Sequence, residues 1–522
     1  MLSKSAFMAY LQCRKRLWLE KFRLDLKPEI DEQQQSVFDM GYAVEDFAEM
    51  LFKGGVTVEY DKPFVMEEKT RELLEKGEKI IFQASAIAEW SGVEKTKTRA
   101  AKAKTGASKS KDLLLVRADI IKYNQKAKAW DLYEVKGTNH VKDHHLPDVA
   151  FQKITFEAAG YKINKTYLAH LNPDYVKKGP IDPKKLIQIE DISDFVKEME
   201  PQVLADIPLA LKVLKETKEV QVRIVNQCHD NPYDCPFIDY CWKGVPEYSI
   251  YELSGANAEK LVALLDMGIV KIKDVPEGMF DKKKSLYQIK AVKTGKLVMD
   301  KEEMRESLKG LKYPLYFLDY ETMRMGIPIW DGTSPHEAVP FQYSLHVARS
   351  PEDILKPENG AGAMEHHDFL PADSENPVPE LLKQLKKDIG PKGGTVVVWT
   401  TYEKTCHNSM AEMVPGYKPF LDSLNDRMFD LAVPFRSKNY VDADFGGQYS
   451  LKKVLPVLGG GVSYEDLEIR EGSDVGRLWY LSVSGAMPVV EAKKMRRSLL
   501  AYCGRDTYAE VRILRTVLGI LG

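Results

Sequence analysis

Three of the six cysteines in this 522-residue chain lie within fourteen residues, and this cluster constrains the fold more than any other feature. They are Cys228, Cys235 and Cys241, in the stretch QCHDNPYDCPFIDYCW. Core cysteines do not normally stand among aspartate, proline and histidine residues, so the segment predicts metal ligation. A fourth cysteine, Cys13, lies more than two hundred residues upstream. A metal centre joining all four thiols would close a loop of that length and contribute to folding.

Composition places the chain among globular proteins of more than one domain. At this length two or three domains are expected, and 44% hydrophobic with 29% charged residues is typical of a soluble protein. No run of eighteen apolar residues is present, so we expect no membrane span. The N-terminal segment lacks the apolar stretch of a signal peptide, which favours the cytoplasm. In that reducing compartment, clustered cysteines bind metal more often than they form disulfides.

Charge leaves the question of nucleic-acid binding open. The net charge of −2 neither favours nor excludes it, because a balanced total can conceal local patches. One such patch is residues 95–111, which carry seven basic side chains and no acid. Their Ala, Ser, Thr and Gly background predicts a solvated loop.

A hairpin with paired carboxylates is predicted within residues 113–139. The segments LLLVRADII and WDLYEVKG read as two strands joined by a polar turn. Asp119 lies near the end of the first strand, and Glu134 and Lys136 share one face of the second. Two carboxylates and a lysine at a sheet edge can hold a divalent cation and place a water for attack on phosphate. The E-x-K triplet is very common, however, and taken alone it favours an ordinary surface ion pair.

The surrounding sequence resembles the PD-(D/E)XK nuclease superfamily, with Asp119 as the motif aspartate and EVK as the (D/E)-x-K element. Upstream, the predicted helix DMGYAVEDFAEMLF has Gly41-x-x-x-Glu45 where RecB-type members usually have Gly-x-x-x-His. Downstream, the predicted helix DVAFQKITFEAAGY has Gln152, like the Q-x-x-x-Y helix of the family, with Phe156 at the tyrosine position.

This resemblance implies a metal-dependent nuclease site in the N-terminal part of the chain. Asp119, Glu134 and Glu45 would hold Mg²⁺ or Mn²⁺, and Lys136 and Gln152 would complete the catalytic set. A carboxylate at Glu45 is a departure from the family histidine, although it can also ligate either cation.

The cysteines resemble those of iron–sulphur exonucleases of the AddB and CRISPR-associated RecB-like families. There four thiolates hold a 4Fe–4S cluster that ties the first helix to the end of the nuclease domain, which here implies Cys13, Cys228, Cys235 and Cys241. The family spacing C-x2-C-x5-C is C-x6-C-x5-C in this chain. Zinc is the alternative for four thiolates, and His229 is interpreted as a bystander.

A second α/β domain is predicted to begin near residue 313, after a connector. Residues 257–279 predict helix–turn–helix-sized structure, and the basic stretch 281–296 is a linker surface or a DNA-facing patch, of which the linker is favoured. YPLYFLDYETM (313–323) reads as a strand bearing Asp319-x-Glu321, the first element that a two-metal phosphodiesterase needs. Three more segments, VPFQYSLHVAR, GGTVVVWTTYEKTCHNSM and LLAYCGRDTYAEVRIL, predict a second strand, a strand running into a helix, and a final helix.

The order of these acids resembles the DnaQ-like DEDD exonucleases of the ribonuclease H fold, in the type with Tyr-x-x-x-Asp in the last motif. Asp319, Glu321 and Asp506 match directly, and Tyr502 would orient the attacking water. The family aspartate of the second motif has two candidates here, Glu403 and Asp430, of which Glu403 is favoured. His366 and His367 are expected in an exposed loop, and Cys406 and Cys503 as isolated buried thiols.

The sequence therefore predicts an α/β protein in three parts: residues 1–250, a PD-(D/E)XK restriction-endonuclease-like domain with an iron–sulphur staple; 251–312, a helical connector; and 313–522, a ribonuclease H-like domain. The leading hypothesis is a nuclease that hydrolyses DNA, at single-stranded or frayed ends, in repair, recombination or defence against foreign DNA. The alternatives are a nucleic-acid-binding assembly factor with one or both sites inactive, and an exonuclease acting on RNA.

Overall fold

The computed structural model describes residues 1–90, 92, 112–225, 227–229, 233–355, 364–390 and 393–522. The chain forms two compact units, Met1–Lys243 and Gly244–Gly522, and both are α/β. Residues 251–312, predicted as a connector, lie inside the second unit. The basic segment 95–111 lies outside the described residues. Within the described part, no helix is both long and apolar enough to cross a membrane.

The first unit contains a seven-stranded sheet in the order β2-β3-β4-β5-β6-β7, with β1 parallel to β4. Strands β3, β4 and β5 are antiparallel neighbours, and β6 is parallel to β5. The strands are β1 (Leu2–Ser3), β2 (Val56–Thr57), β3 (Ile80–Glu89), β4 (Leu113–Asn124), β5 (Ala129–Lys136), β6 (Ile163–Leu171) and β7 (Ile187–Asp191).

Helices cover the apolar side of this sheet. Helices α1, α5 and α7 pack on one another, and α1 and α5 also contact β4. The rings of Phe7 and Phe151, which stack with centroids 4.7 Å apart, join α1 to α5. The helices are α1 (Lys4–Gln12), α2 (Arg14–Phe22), α3 (Glu32–Glu49), α4 (Pro63–Glu75), α5 (His145–Ala158), α6 (Pro183–Leu186), α7 (Ser193–Val213) and α8 (Ile238–Cys241).

The second unit contains a five-stranded sheet in the order β11-β10-β9-β12-β13, beside a two-stranded ribbon of β8 and β14. In the five-stranded sheet, β9, β10 and β11 are antiparallel neighbours, whereas β12 and β13 run parallel to β9. The strands are β8 (Val298–Met299), β9 (Leu315–Arg324), β10 (Ala338–Ala348), β11 (Glu365–Phe369), β12 (Thr395–Val398), β13 (Met428–Asp430) and β14 (Tyr440–Val441).

Both faces of this second sheet are covered, because β9 contributes alternate residues to two apolar clusters. Tyr316 and Leu318 belong to one cluster, and Leu315 and Phe317 belong to the other, which includes the C-terminal half of α19. The helices are α9 (Ala258–Asp266), α10 (Lys283–Thr294), α11 (Lys301–Leu308), α12 (Pro351–Leu355), α13 (Val378–Ile389), α14 (Tyr402–Met413), α15 (Lys418–Asn425), α16 (Val433–Arg436), α17 (Leu451–Leu458), α18 (Val475–Val483) and α19 (Val489–Leu521).

One local expectation was wrong, and two other segments are now described in detail. His366 and His367 lie in β11, not in a loop, and the His366 ring bonds to Ser344 Oγ at 2.9 Å. The segment 257–279 contains one α-helix followed by a 3₁₀ turn. The basic stretch 281–296 is mostly α10, because Ser285, Gln288 and Ala291 form a buried face along it while its lysines stay in solvent.

Candidate functional site

The first candidate site lies where β4 and β5 separate. Their ladder ends at the pair Ile120 and Tyr133, which leaves Asp119 beside the end of β5. There the Val135 N–H, freed from that ladder, donates to Asp119 Oδ2 at 2.7 Å. A buried main-chain donor needs a partner, so this bond fixes the Asp119 carboxylate next to Glu134.

Glu134 is the centre of a hydrogen-bond network. Lys136 Nζ donates to Glu134 Oε1 at 2.6 Å, and Gln152 Nε2 donates to Glu134 Oε2 at 2.6 Å. Lys136 also pairs with Asp148 Oδ2 at 2.9 Å. The sequence-predicted Asp119, Glu134, Lys136 and Gln152 are therefore together, beside α5 at the point where the central strands β4 and β5 separate.

Two residues of this network were missed from the sequence. Asp148 precedes Gln152 by one turn of α5, and its Oδ1 accepts from Gln152 at 3.0 Å. Lys4 donates to Glu134 Oε1 at 2.9 Å from the start of α1. The i, i+4 spacing was a signal for Asp148, whereas Lys4 gave none because only tertiary folding brings it there.

Glu45 belongs to the same electrostatic environment. It lies on α3, and Gln83 Nε2 donates to its Oε2 at 3.1 Å. Gln83 has φ of 56°, a left-handed conformation at the point where the β3–β4 ladder skips one residue pair without a change of register. Burial and the Glu134 charge raise the pKa of Glu45.

The pKa values of the carboxyl groups in the first site are shifted in opposite directions. Burial and the Glu134 charge raise the pKa of Asp119 well above its usual range. Burial acts on Glu134 in the same direction, but the Lys136 and Lys4 charges prevail and hold its pKa below the usual range. The carboxylate oxygens of Asp119, Glu134 and Glu45 are the hard donors that Mg²⁺ and Mn²⁺ take, and a bound cation would favour the ionised form of each.

The four cysteines of the first unit are also brought together. None of the four forms a disulfide. Burial raises the pKa of Cys241 to about 11, an effect that Lys15 opposes and the three other thiols reinforce. Cys13 lies between α1 and α2, where the extended backbone at φ −162° interrupts the two helices. The amide of Gln12 donates to the main-chain oxygens of Gln227 and Tyr233, at 3.2 and 2.5 Å. Four sulphur donors fit a soft metal centre.

The second candidate site lies on the face of β9 that packs on α19. Asp319 and Glu321 continue the face of Leu315 and Phe317, so they point towards that helix. Among the described residues, the one triad of possible metal ligands whose atoms all lie within 4.8 Å of one another is Asp319, Glu321 and Cys503. Cys503, expected as an isolated thiol, thus lies beside the predicted acids, with Sγ 3.8 Å from Asp319 Oδ2.

Helix α19 contributes a row of polar side chains one turn apart. Tyr502, Asp506 and Glu510 are all buried, and the hydroxyl of Tyr464 donates to Asp506 Oδ1. Burial raises the pKa of Asp506 to about 7, although the Tyr464 hydrogen bond opposes this. Tyr464 and Glu510 were missed from the sequence, where Glu510 was signalled only by its spacing from Asp506.

The two candidates for the remaining acid have different surroundings. Glu403, at the start of α14, is buried, shares a hydrogen bond with Asp319 and has a pKa raised to about 8, mainly by burial. Its Oε2 has no hydrogen-bond partner. Asp430 instead accepts from the N–H groups of Thr400 and Ala432 at 3.1 and 2.9 Å, and Arg436 lies 2.9 Å from its Oδ2. Asp430 therefore supports a turn, and Glu403 faces the acids.

Comparison with known proteins adds one match. A family model described as a domain of unknown function (DUF2779) matches residues 316–450. The matched range includes Asp319, Glu321, Glu403 and Asp430 and ends before α19. No curated protein is significantly similar to the chain.

Proposed function

We propose that the protein is a metal-dependent nuclease that hydrolyses phosphodiester bonds of DNA. The observation that carries this proposal is the network in which Lys136 and Gln152 both hold Glu134 beside Asp119. These are the residue types, in the order along the chain, that the PD-(D/E)XK resemblance requires. The fold agrees with it, since a helix, three antiparallel strands, a helix and a parallel strand (α4-β3-β4-β5-α5-β6) is the core of that superfamily.

Each residue of the first site has a chemical role in this proposal. Mg²⁺ or Mn²⁺, when bound, would act as a Lewis acid on the phosphate and its attacking water. Asp119 and Glu134 would hold it, with Glu45 as a further oxygen donor. The Lys136 ammonium, 2.6 Å from Glu134, is placed to orient the nucleophile and to stabilise the negative charge that develops on the phosphate. Gln152 and Asp148 fix the direction of the Glu134 and Lys136 side chains.

The second unit supports a second phosphodiesterase site of the DEDD type. Numbered from its own first strand, its sheet has the order 3-2-1-4-5, with the last two strands parallel to the first, as in the ribonuclease H fold. Asp319, Glu321, Glu403 and Asp506 would bind the catalytic cations, and Tyr502 would position the water. Single-stranded or frayed DNA ends are the substrate that suits both sites.

The four cysteines of the first unit complete the proposal as ligands of a structural 4Fe–4S cluster. Four thiolates are the ligand set of such a cluster. Zinc, which also takes four thiolates, is the alternative. An iron–sulphur cluster suits the reducing cytoplasm, where we place the protein.

Cleavage assays on end-labelled and internally labelled substrates test the proposal. The full chain is incubated with single- and double-stranded DNA and RNA, with Mg²⁺, Mn²⁺ or EDTA. We expect metal-dependent release of label from DNA, lost in the variant Asp119→Ala/Asp319→Ala. Binding without cleavage of any substrate would instead identify an assembly factor, and cleavage confined to RNA would identify the RNA-directed alternative.

A further inference from the structure

Lys4 contacts the first site from outside the elements that form the nuclease core. Its Nζ lies 2.9 Å from Glu134 Oε1 and 3.8 Å from Asp148 Oδ1. About a quarter of the Lys4 side chain is exposed, whereas both carboxylates are buried. The site therefore holds two ammonium groups, Lys4 and Lys136, against the same two acids.

The backbone places Lys4 there for a specific reason. Strand β1 pairs with Leu114 and Leu115 of β4, along the edge that β5 leaves vacant after its own ladder ends. The Ser3 hydroxyl caps the following helix by accepting from the Ala6 N–H at 3.2 Å. Lys4 is the first residue of that helix, so its position is set by a strand pairing and a cap as well as by its ion pairs.

Both oxygens of Glu134 are already occupied. Oε1 accepts from Lys4 and Lys136, and Oε2 accepts from Gln152. The two ammonium groups occupy both lone pairs of Oε1, so a divalent cation bound at that oxygen must displace Lys4 or Lys136. Gln152 is fully buried, and Lys136 remains anchored to Asp148 at 2.9 Å. Lys4, which is 3.8 Å from Asp148, is the donor with the weakest second anchor.

The same helix leads directly to the cysteines. Helix α1 extends from Lys4 to Gln12, about 12 Å at the usual helical rise, and Cys13 follows it. The Gln12 amide bonds to the main chain at Gln227 and Tyr233, on either side of Cys228. The stacked rings of Phe7 and Phe151 hold the middle of α1 to α5, the helix that carries Asp148 and Gln152.

We propose that Lys4 is a positioning residue of the first site, which competes with the divalent cation for Glu134 and is held there, through α1, by the cysteine centre. The effect of Lys4 on cleavage rests on the proposed nuclease function, whereas its effect on metal binding does not. With a cation at Glu134, Lys4 would keep its pairing with Asp148 and would add a second positive charge to the site.

The test compares Mn²⁺ affinity and cleavage rate in the full chain, in an Asp319→Asn background that weakens the second site. Free Mn²⁺ is measured by electron paramagnetic resonance. We expect Lys4→Gln to bind Mn²⁺ at least threefold more tightly yet to cleave DNA at least tenfold more slowly, and Lys4→Arg to stay near the parent protein. Lys153→Gln is the matched control, since Lys153 also pairs with two acids of the first unit, but these are Glu157 and Glu200.

Two results would overturn the role of Lys4. One is an unchanged Mn²⁺ affinity in Lys4→Gln, and the other is a weakening of Mn²⁺ binding as large as in Asp119→Asn, which would mark a structural residue. If Lys4→Gln tightens Mn²⁺ binding but the parent cleaves no substrate, the competition stands and the proposed nuclease function fails.

The link to the cysteine centre needs its own variants. Cys13→Ser should shift Mn²⁺ affinity in the same direction as Lys4→Gln. The double variant should show no further change, because Cys13→Ser acts by freeing the ammonium that Lys4→Gln removes. Gln12→Ala removes only the amide bonds and gives a milder form of the same test if Cys13→Ser does not fold. Additive effects, or unchanged affinity in both Cys13→Ser and Gln12→Ala, would overturn the coupling.

Discussion

Lys136 is the residue on which the first site depends most directly, because its ammonium bridges Glu134 and Asp148 at 2.6 and 2.9 Å. Removing it leaves two buried carboxylates without their strongest partner and removes positive charge from the phosphate position. We expect Lys136→Ala to lower one cleavage rate by at least 100-fold, with the thermal midpoint lowered only modestly. Lys153→Ala serves as the control, and full activity of Lys136→Ala on every substrate would rule out this site as catalytic.

Glu403 and Asp430 should separate into an active-site acid and a structural one. Glu403→Gln removes one of several buried acids, so we expect cleavage by the second site to fall on the order of 100-fold while the thermal midpoint is unchanged or raised. Asp430→Asn weakens the acceptor of two main-chain N–H groups and the pair with Arg436. Its expected effect is a loss of about 1–3 kcal/mol of unfolding free energy. Activity and urea unfolding of both variants would reveal whether the assignment should be reversed.

His407 gives the second unit a dependence of stability on pH. It is buried between Tyr320 and Asn425, and burial lowers its pKa to about 4. The pKa of an unfolded histidine is about 6.5. Between that pH and about pH 4, the unfolded chain binds a proton at His407 and the folded chain does not. The free energy of unfolding therefore has its full contribution from neutral His407 above about pH 6.5. It falls by up to about 3 kcal/mol as the pH decreases towards 4. Unfolding of wild type and His407→Gln across this range should show a shallower decline in the variant.

At the scale of elements, helices α1 and α2 are fastened to the segment that carries the late cysteines. Trp18 Nε1 donates to Glu216 O at 3.0 Å, and Lys15 pairs with Glu219 at 2.7 Å. The Tyr240 hydroxyl also donates to Glu219, at 2.7 Å. These contacts do not involve the thiols, so loss of a metal centre should loosen the helices rather than unfold the unit.

The cysteine centre can therefore be examined by its colour and its metal content. Protein purified in air should be brown, with absorbance near about 400 nm from thiolate-bound iron. Cys241→Ser should lose the colour and part of its solubility, whereas Cys406→Ala, a buried thiol of the second unit, should keep the colour. A colourless wild type with one zinc per chain would contradict the 4Fe–4S assignment.

At the scale of the whole molecule, the two sites lie in separate compact units with separate apolar cores. Damage to one site should therefore leave the other intact. We expect Asp119→Ala and Asp319→Ala each to eliminate one activity, distinguishable by substrate or polarity, and the double variant to bind nucleic acid without cleaving it. Asp506→Ala should match Asp319→Ala, with Tyr502→Phe milder. If all the second-unit variants cleave like wild type while Asp119→Ala is inactive, the second unit is a scaffold.

The sequence by itself determined the mixed α/β class, the strands around Asp119, Glu134 and Asp319, and the helices that carry Gln152 and Asp506. These elements have strong local signals, since β-branched runs and i, i+4 spacings depend on near neighbours in the chain. The same locality explains the errors at His366 and His367, whose strand exists only because β10 offers it a partner edge.

Only the tertiary structure decided which further polar residues join each site. Lys4 reaches Glu134 across 130 positions, and Cys503 reaches Asp319 across 184, distances over which no periodic pattern extends. It also separated Glu403 from Asp430, because the bonds that occupy Asp430 come from a turn whose path the sequence does not reveal. The physical reason is the same in each case: secondary structure follows from local interactions, whereas the partners of a buried charge are set by how the elements pack.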